Sequence, residues 1–339
     1  MSDPNDVEER LSAAVFGGAP TDPGGPQIGG RSVRLGDRVF SGMAATASVF
    51  LLLIILGIAV FLFVRSVPAL QANTANFWTT KVWFPDSVPS VFGIAALAWG
   101  TLLSSTLALV LAVPVSVGIA LFIAHYAPRR MASTLGYAVD LLAAVPSVVY
   151  GLWGLAYLVP HMVGLSTWLA DHASWIPLFA TPGGSSFKQT MFNTGVVLAV
   201  MIVPIISAVS REVFLQVPRD HIEAALALGA TRWETMRMAV LPFGRSGVIS
   251  ASMLGLGRAL GETVAVALVL STNYETSIHI LQPGGNTFAA NIALQYGFAN
   301  KIGVDALIAS GLVLFLITLV VNMAARYIIS RRREFSGAN

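Results

Sequence analysis

Six apolar runs constrain this chain more than any other feature. They cover residues 43–64, 94–123, 135–159, 196–214, 247–270 and 306–329. Each is long enough to cross roughly 30 Å of hydrocarbon as an α-helix. In lipid every backbone N–H and C=O must find its partner within the protein, so such runs predict membrane-spanning helices. The expected fold class is an all-α polytopic membrane protein with six transmembrane helices. Composition agrees: 11% of residues are charged, where soluble domains run near 25%. The chain has no cysteine, which excludes a disulfide framework, a thiol nucleophile and a cysteine-based zinc site. The second run is overlong and contains Pro114, which predicts a tilt, a kink or an interfacial start.

Positive charge predicts the orientation. Most of the 20 Lys and Arg residues fall in the tail, in the second and fourth connections and after the last run. Arg129, Arg130, Arg211, Arg219, Arg232, Arg237 and Arg245 are among them. The other side holds only Arg65, Lys81, Lys188 and Lys301. Both termini and the connection after the fourth run are therefore expected in the cytoplasm. This arginine bias is an orientation signal; no base-reading motif accompanies it, so no nucleic-acid partner is expected.

Residues 1–40, rich in Gly, Pro and Asp, have little to bury and read as a disordered cytoplasmic tail. They lack the basic start and immediate apolar core of a cleavable signal peptide. The first transmembrane helix is expected within 41–66, a transmembrane core over 90–330, and a basic cytoplasmic end at 331–339. The outward connections are long and carry Trp78, Trp83, Trp168 and Trp175, with PGG at 182–184 and 283–285. The tryptophans read equally as interfacial anchors or as a docking surface.

The most polar internal stretch is residues 220–242, DHIEAALALGATRWETMRMAVLP. Asp220 with Glu223 three residues on predicts a capped helix start, and Gly229 a helix end. Thr231 and Glu234 repeat the cap signature, and Pro242 is expected to stop the second helix. The prediction is helix, tight turn, helix within a cytoplasmic loop spanning 211–246.

Charges inside apolar runs are costly and therefore candidate functional groups. Arg258 and Glu262, four residues apart, are expected on one helical face, lining a translocation path or forming a structural ion pair. Asp140, near the cytoplasmic end of the third run, is a third candidate for the path or for structure. Gly257 and Gly261 form a GxxxG pair that would admit a neighbouring helix closely. No GxxxxGK[ST] loop is present, so ATP hydrolysis by that route is excluded. The histidines show no metal-ligand spacing, and no catalytic residues are assigned. The chain reads as a non-enzyme with no metal or cofactor of its own.

Glu223, Ala224, Ala225, Gly229, Leu241 and Pro242 together resemble the EAA loop of ABC importer permeases. That pattern is E-A-A, three residues, G, nine residues, I, one residue, L-P. The spacing agrees from Glu223 to Pro242, with Ala239 where the family has Ile. AAVPSVVYGLWGL at 143–155 and GLGRALGETVAV at 255–266 resemble the phosphate-specific permeases of that family. Of their two sister types, the first span and the 40-residue tail suit one better. The resemblance covers residues 90–330. It implies the type I importer permease (MetI-like) fold, with the loop as coupling element to an ATPase. The implied partners are a second permease, two ATPase subunits that bind ATP and magnesium, and an extracytoplasmic phosphate-binding protein, all at a bacterial cytoplasmic membrane. It implies phosphate import by alternating access. The alternatives are a permease for another oxyanion, an ion-coupled secondary transporter and a non-transporting membrane scaffold.

Overall fold

The computed structural model describes residues 35–181 and 186–330. Most of the expected tail, the PGG at 182–184 and the basic end at 331–339 lie outside the described residues. Six helical segments among those described are long and apolar enough to span a membrane: Val39–Ala72, Ala95–Tyr126, Ser147–His172, Met191–Leu215, Arg232–Leu260 and Lys301–Tyr327. Helix α1 (Leu35–Ala72) opens the chain. Up to Ile58 it belongs to a unit of its own, and its described part there is largely apolar. From Ala59 onward the chain forms the second unit.

That unit is built on α2 (Ala95–Leu121), α6 (Met191–Leu215) and α9 (Leu241–Leu260). The seam of α2 and α6 is made close by small residues. Gly195 lies against Leu107, and Ala108 and Ala112 are fully buried beside Leu198, Ile202 and Ile206. Without a water-driven force between helices in lipid, such close dispersion contact is the main source of association. Pro114 and Pro204 are carried inside α2 and α6.

The third expected span is displaced. Residues 135–159 do not form one helix: α3 (Arg129–Ala143) ends before Pro146, and a new helix α4 (Ser147–Trp153) starts after it. Pro146 has no N–H to continue the ladder and pushes Val145 away from helical geometry. The span is Ser147–His172, running from α4 through one wide π-turn (Gly154–Leu158) into α5 (Val159–His172).

The fifth span is also displaced. It begins at α8 (Arg232–Thr235), widens into a π-turn at Met236–Val240, and continues as α9 to Leu260. Pro242 therefore does not stop the helix. The Leu241 N–H reaches back five residues to the Met236 carbonyl, and this wide turn accommodates the proline ring near the start of α9. Pro160 follows the Gly154–Leu158 turn in the same register, with Val159 N–H on the Gly154 carbonyl.

At the end opposite the arginine-rich loop, a two-stranded hairpin pairs β1 (Trp83–Phe84) with β2 (Val91–Phe92). Trp83 is not an exposed anchor or docking residue. It is buried edge-on against Phe92, in a cluster with Ile94, Leu97, Phe288 and Leu307. Trp78, Trp168 and Trp175 remain exposed. After α10 (Val264–Val269), Gly284 and Gly285 take positive φ in the second PGG. Thr287 then caps the short helix α11 (Phe288–Gln295), before α12 (Lys301–Ser330) closes the chain. Tyr274 donates to Asn291 Oδ1 at 2.7 Å beside α11, and burial pushes its phenol above the ordinary value.

One ion pair, with a buried carboxylate and a partly exposed arginine, was not expected from the sequence. Arg65 on α1 meets Asp305 on α12 at 2.8 Å, with the Asp305 side chain only 3% exposed. Asp305 stands at the start of the sixth apolar run, where a lone carboxylate before an uncharged stretch was the available signal.

Candidate translocation site and coupling loop

The two stretches that carry the phosphate-type resemblance meet in space. Helix α4 packs on α10, and Gly151 makes the contact possible: a Cβ there would stand 2.8 Å from the Ala265 Cα. Tyr150, next to Gly151, is buried and donates its hydroxyl to the Leu142 carbonyl at 2.8 Å.

Arg258 and Glu262 do not share a helix. α9 ends at Leu260, Gly261 caps it, and α10 starts at Val264. Glycine at 261 is a weak helix former and ends the run. Arg258 therefore sits in the last turn of α9, where a cation suits the helix dipole. Glu262 sits in the break, 7% exposed, and its Oε1 accepts from the Ala265 N–H at 3.1 Å. The carboxylate thus satisfies a free amide at the start of α10. Among the described residues no ion pair joins it to Arg258. Broken backbone of this kind is tolerated at membrane depth where protein or a water-filled cavity surrounds it. The expected GxxxG packing is not made within this chain: nothing lies within 4 Å of a Cβ on Gly257, and Gly261 is past the helix end.

Asp140 is placed elsewhere. It lies on α3, outside the candidate spans, and meets Arg211 of α6 at 3.4 Å. Arg211 also binds the adjacent Glu212 at 2.7 Å. These groups line an open cavity of about 450 Å³ between α3 and α6, with Arg129 at its rim.

The loop forms a helix, turn and helix. α7 (Arg219–Ala227) begins after Pro218, which has no side-chain cap. Asp220 is therefore in the first turn and is not the N-cap, and Glu223 closes no capping box. Pro218 is itself the N-cap residue, with φ −58° and ψ 135°. Gly229 takes φ +84°, the left-handed C′ geometry expected of it. The second cap forms as expected. Thr231 Oγ1 accepts from Glu234 N–H, and Glu234 Oε2 accepts from Thr231 N–H at 2.8 Å. Glu223, Ala224 and Gly229 are exposed, and Ala225 is buried. Leu226, Leu228 (88% exposed), Trp233 (60%) and Met238 present apolar surface. Leu241 packs inward on a cluster of Leu121, Phe214, Met236 and Val240 that ties the loop to α2 and α6.

Residues 116–334 match the family described as the inner membrane component of binding-protein-dependent transport systems. Phosphate transport system permease protein PstC 2 of Mycobacterium tuberculosis is 50% identical over 301 residues, 88% of this chain and 93% of that protein. The chain belongs to the PstC permease family. PstC of Mycobacterium leprae is 46% identical over 304 residues, 89% of this chain and 95% of that one. PstC of Xylella fastidiosa is 40% identical over 313 residues, covering 91% and 96%. Among solved structures, a bacterial ABC transporter involved in alginate import superposes with a TM-score of 0.53 at 18% identity, over 87% of this chain and 99% of that one. That likeness shows the fold, the type I importer permease fold expected. A PstC-family chain is a multi-pass inner-membrane permease component of an ABC transporter and not its ATPase. It works with an ATPase and a binding protein.

Proposed function

We propose that this chain is the membrane-spanning subunit through which an ATP-driven importer moves inorganic phosphate inward, by alternating access. The observation that carries this reading is the likeness to PstC proteins across nearly nine-tenths of the chain, through both the loop and the Arg258 region. In this reading the partners are a second, PstA-like permease, two PstB-like ATPase subunits and a PstS-like phosphate-binding protein.

Phosphate near neutral pH is an anion that keeps at least one proton. Arg258, without a carboxylate partner among the described residues, offers a planar fork of donors to its oxygens. Glu262 uses Oε1 on the Ala265 amide and leaves Oε2 to accept from the phosphate hydroxyl. Fully deprotonated sulfate has no hydroxyl to give and is repelled. The segment from Glu223 to Gly229 docks on the ATPase with its exposed apolar residues Leu226 and Leu228, Leu241 anchors the loop to the bundle, and Pro242 follows it at the start of α9. ATP and magnesium bind on the ATPase, whose closure moves the loop and opens the bundle outward.

Labelled phosphate uptake, in cells lacking their own high-affinity system and co-expressing the partner subunits, tests this. Uptake that needs ATP and collapses in Glu223→Ala supports permease and loop together. Uptake that ignores Glu223 removes the loop's role, and no phosphate uptake by an assembled complex turns the reading to another oxyanion. Wild-type phosphate-over-sulfate preference in Glu262→Gln removes the acceptor role.

A further inference from the structure

We infer that Asp140 and Arg211 are positioning residues through which α3 carries movement of the coupling loop to the Arg258 site. This rests on the function proposed above and gives Asp140 a different role from lining the path. Arg211 stands near the end of α6, on the stem of the loop, just before α7. Its guanidinium lies against Gly136 of α3, so closely that any Cβ there would displace it. It reaches Asp140 one turn further along the same helix at 3.4 Å. Two residues beyond Asp140, the Leu142 carbonyl takes the Tyr150 hydroxyl at 2.8 Å. Gly151, the next residue, lies against Ala265, whose N–H holds the Glu262 carboxylate. Contacts thus run from the loop stem through α3, across the Pro146 break, to Glu262 in the break that follows the Arg258 turn.

One guanidinium nitrogen of Arg211, Nη2, holds two carboxylates at once. Arg211 has one carboxylate partner on its own helix, Glu212, and one on α3, Asp140. Only the second joins two elements. When the loop shifts, Arg211 pulls α3 with it through Asp140. A contact that joins the loop stem to α3 lets movement of one element bias the other. Arg211 and Asp140 both line an open cavity, which leaves room for their side chains to move.

The test uses the complete transporter reconstituted in vesicles with its ATPase, second permease and binding protein. Phosphate imported per ATP hydrolysed is measured at equal amounts of assembled complex. Asp140→Asn is expected to lower that ratio about fivefold, the low end of site-to-site coupling, while ATP hydrolysis persists. Gly136→Ala, which keeps every charge but displaces the guanidinium, should do the same. Asp140→Arg combined with Arg211→Asp should recover most of the ratio, and Glu212→Gln should leave it near wild type. An unchanged ratio in Asp140→Asn and Gly136→Ala overturns the inference, as does a charge swap no better than its single changes. An effect of Glu212→Gln equal to that of Asp140→Asn would show that local charge matters and the bridge does not. Loss of coupling in Glu223→Ala alongside normal coupling in Asp140→Asn would keep the function and discard this inference. A wild-type complex with no ATP-driven phosphate import discards both.

Discussion

Glu262 turns its carboxylate to the Ala265 amide, 3.1 Å away, and makes no ion pair with Arg258. One side chain therefore caps the start of a helix, and among the described residues Arg258 has no ion-pair partner. Losing a side-chain cap costs about 1 kcal/mol. Glu262→Ala should show that loss in thermal unfolding of the detergent-solubilised complex. Glu262→Gln keeps an acceptor for Ala265 and should unfold close to wild type, which separates the cap from the charge.

Gly151 and Ala265 bring α4 and α10 into backbone contact, and the 2.8 Å approach leaves no place for a methyl group. Gly151→Ala must push the two helices apart, an overpacking cost of about 1–3 kcal/mol. A lower yield of assembled complex and a lower midpoint of unfolding are expected. Gly164→Ala, where a Cβ meets nothing within 4 Å, is the matched control.

Gly229 is held at φ +84° with open space around it, so only conformation penalises a side chain there. Gly229→Ala should cost roughly 1–2 kcal/mol of loop order. Gly229→Asn should cost less, because Asn visits the left-handed region more readily. Protease susceptibility of the loop, compared across the three proteins, checks the ranking.

Asp305 is buried and Arg65 is partly exposed. Removing the arginine leaves an uncompensated buried carboxylate and should cost about 3 kcal/mol. Asp305→Asn, which removes the buried charge itself, should cost less. Unfolding midpoints of Arg65→Ala and Asp305→Asn decide it, with the arginine variant expected to be the weaker.

The parts legible in the sequence were those governed by local chemistry. Apolar length revealed the spans, because a helix in lipid has to be about as long as the hydrocarbon is thick. Gly229 and the Thr231–Glu234 box were legible because a cap depends on residues three or four apart. The misread boundaries lie where one residue's effect depends on its neighbours' geometry. Pro146 breaks its helix, whereas Pro242 and Pro160 are absorbed after a wide turn. Proline chemistry is the same in each case, and hydrophobicity does not register the difference.

The amino-acid sequence by itself determined that the chain is a six-span helical membrane protein with a capped polar loop. Both follow from short-range physics: backbone pairing in lipid, and caps that satisfy nearby amides. Only the tertiary structure decided which distant groups meet. It placed Glu262 on a backbone amide and apart from Arg258, Asp140 on Arg211, Tyr150 against Leu142, and Arg65 on Asp305. A charge in an apolar run announces its cost at once, but what offsets that cost is supplied by another helix, and its position is set by packing.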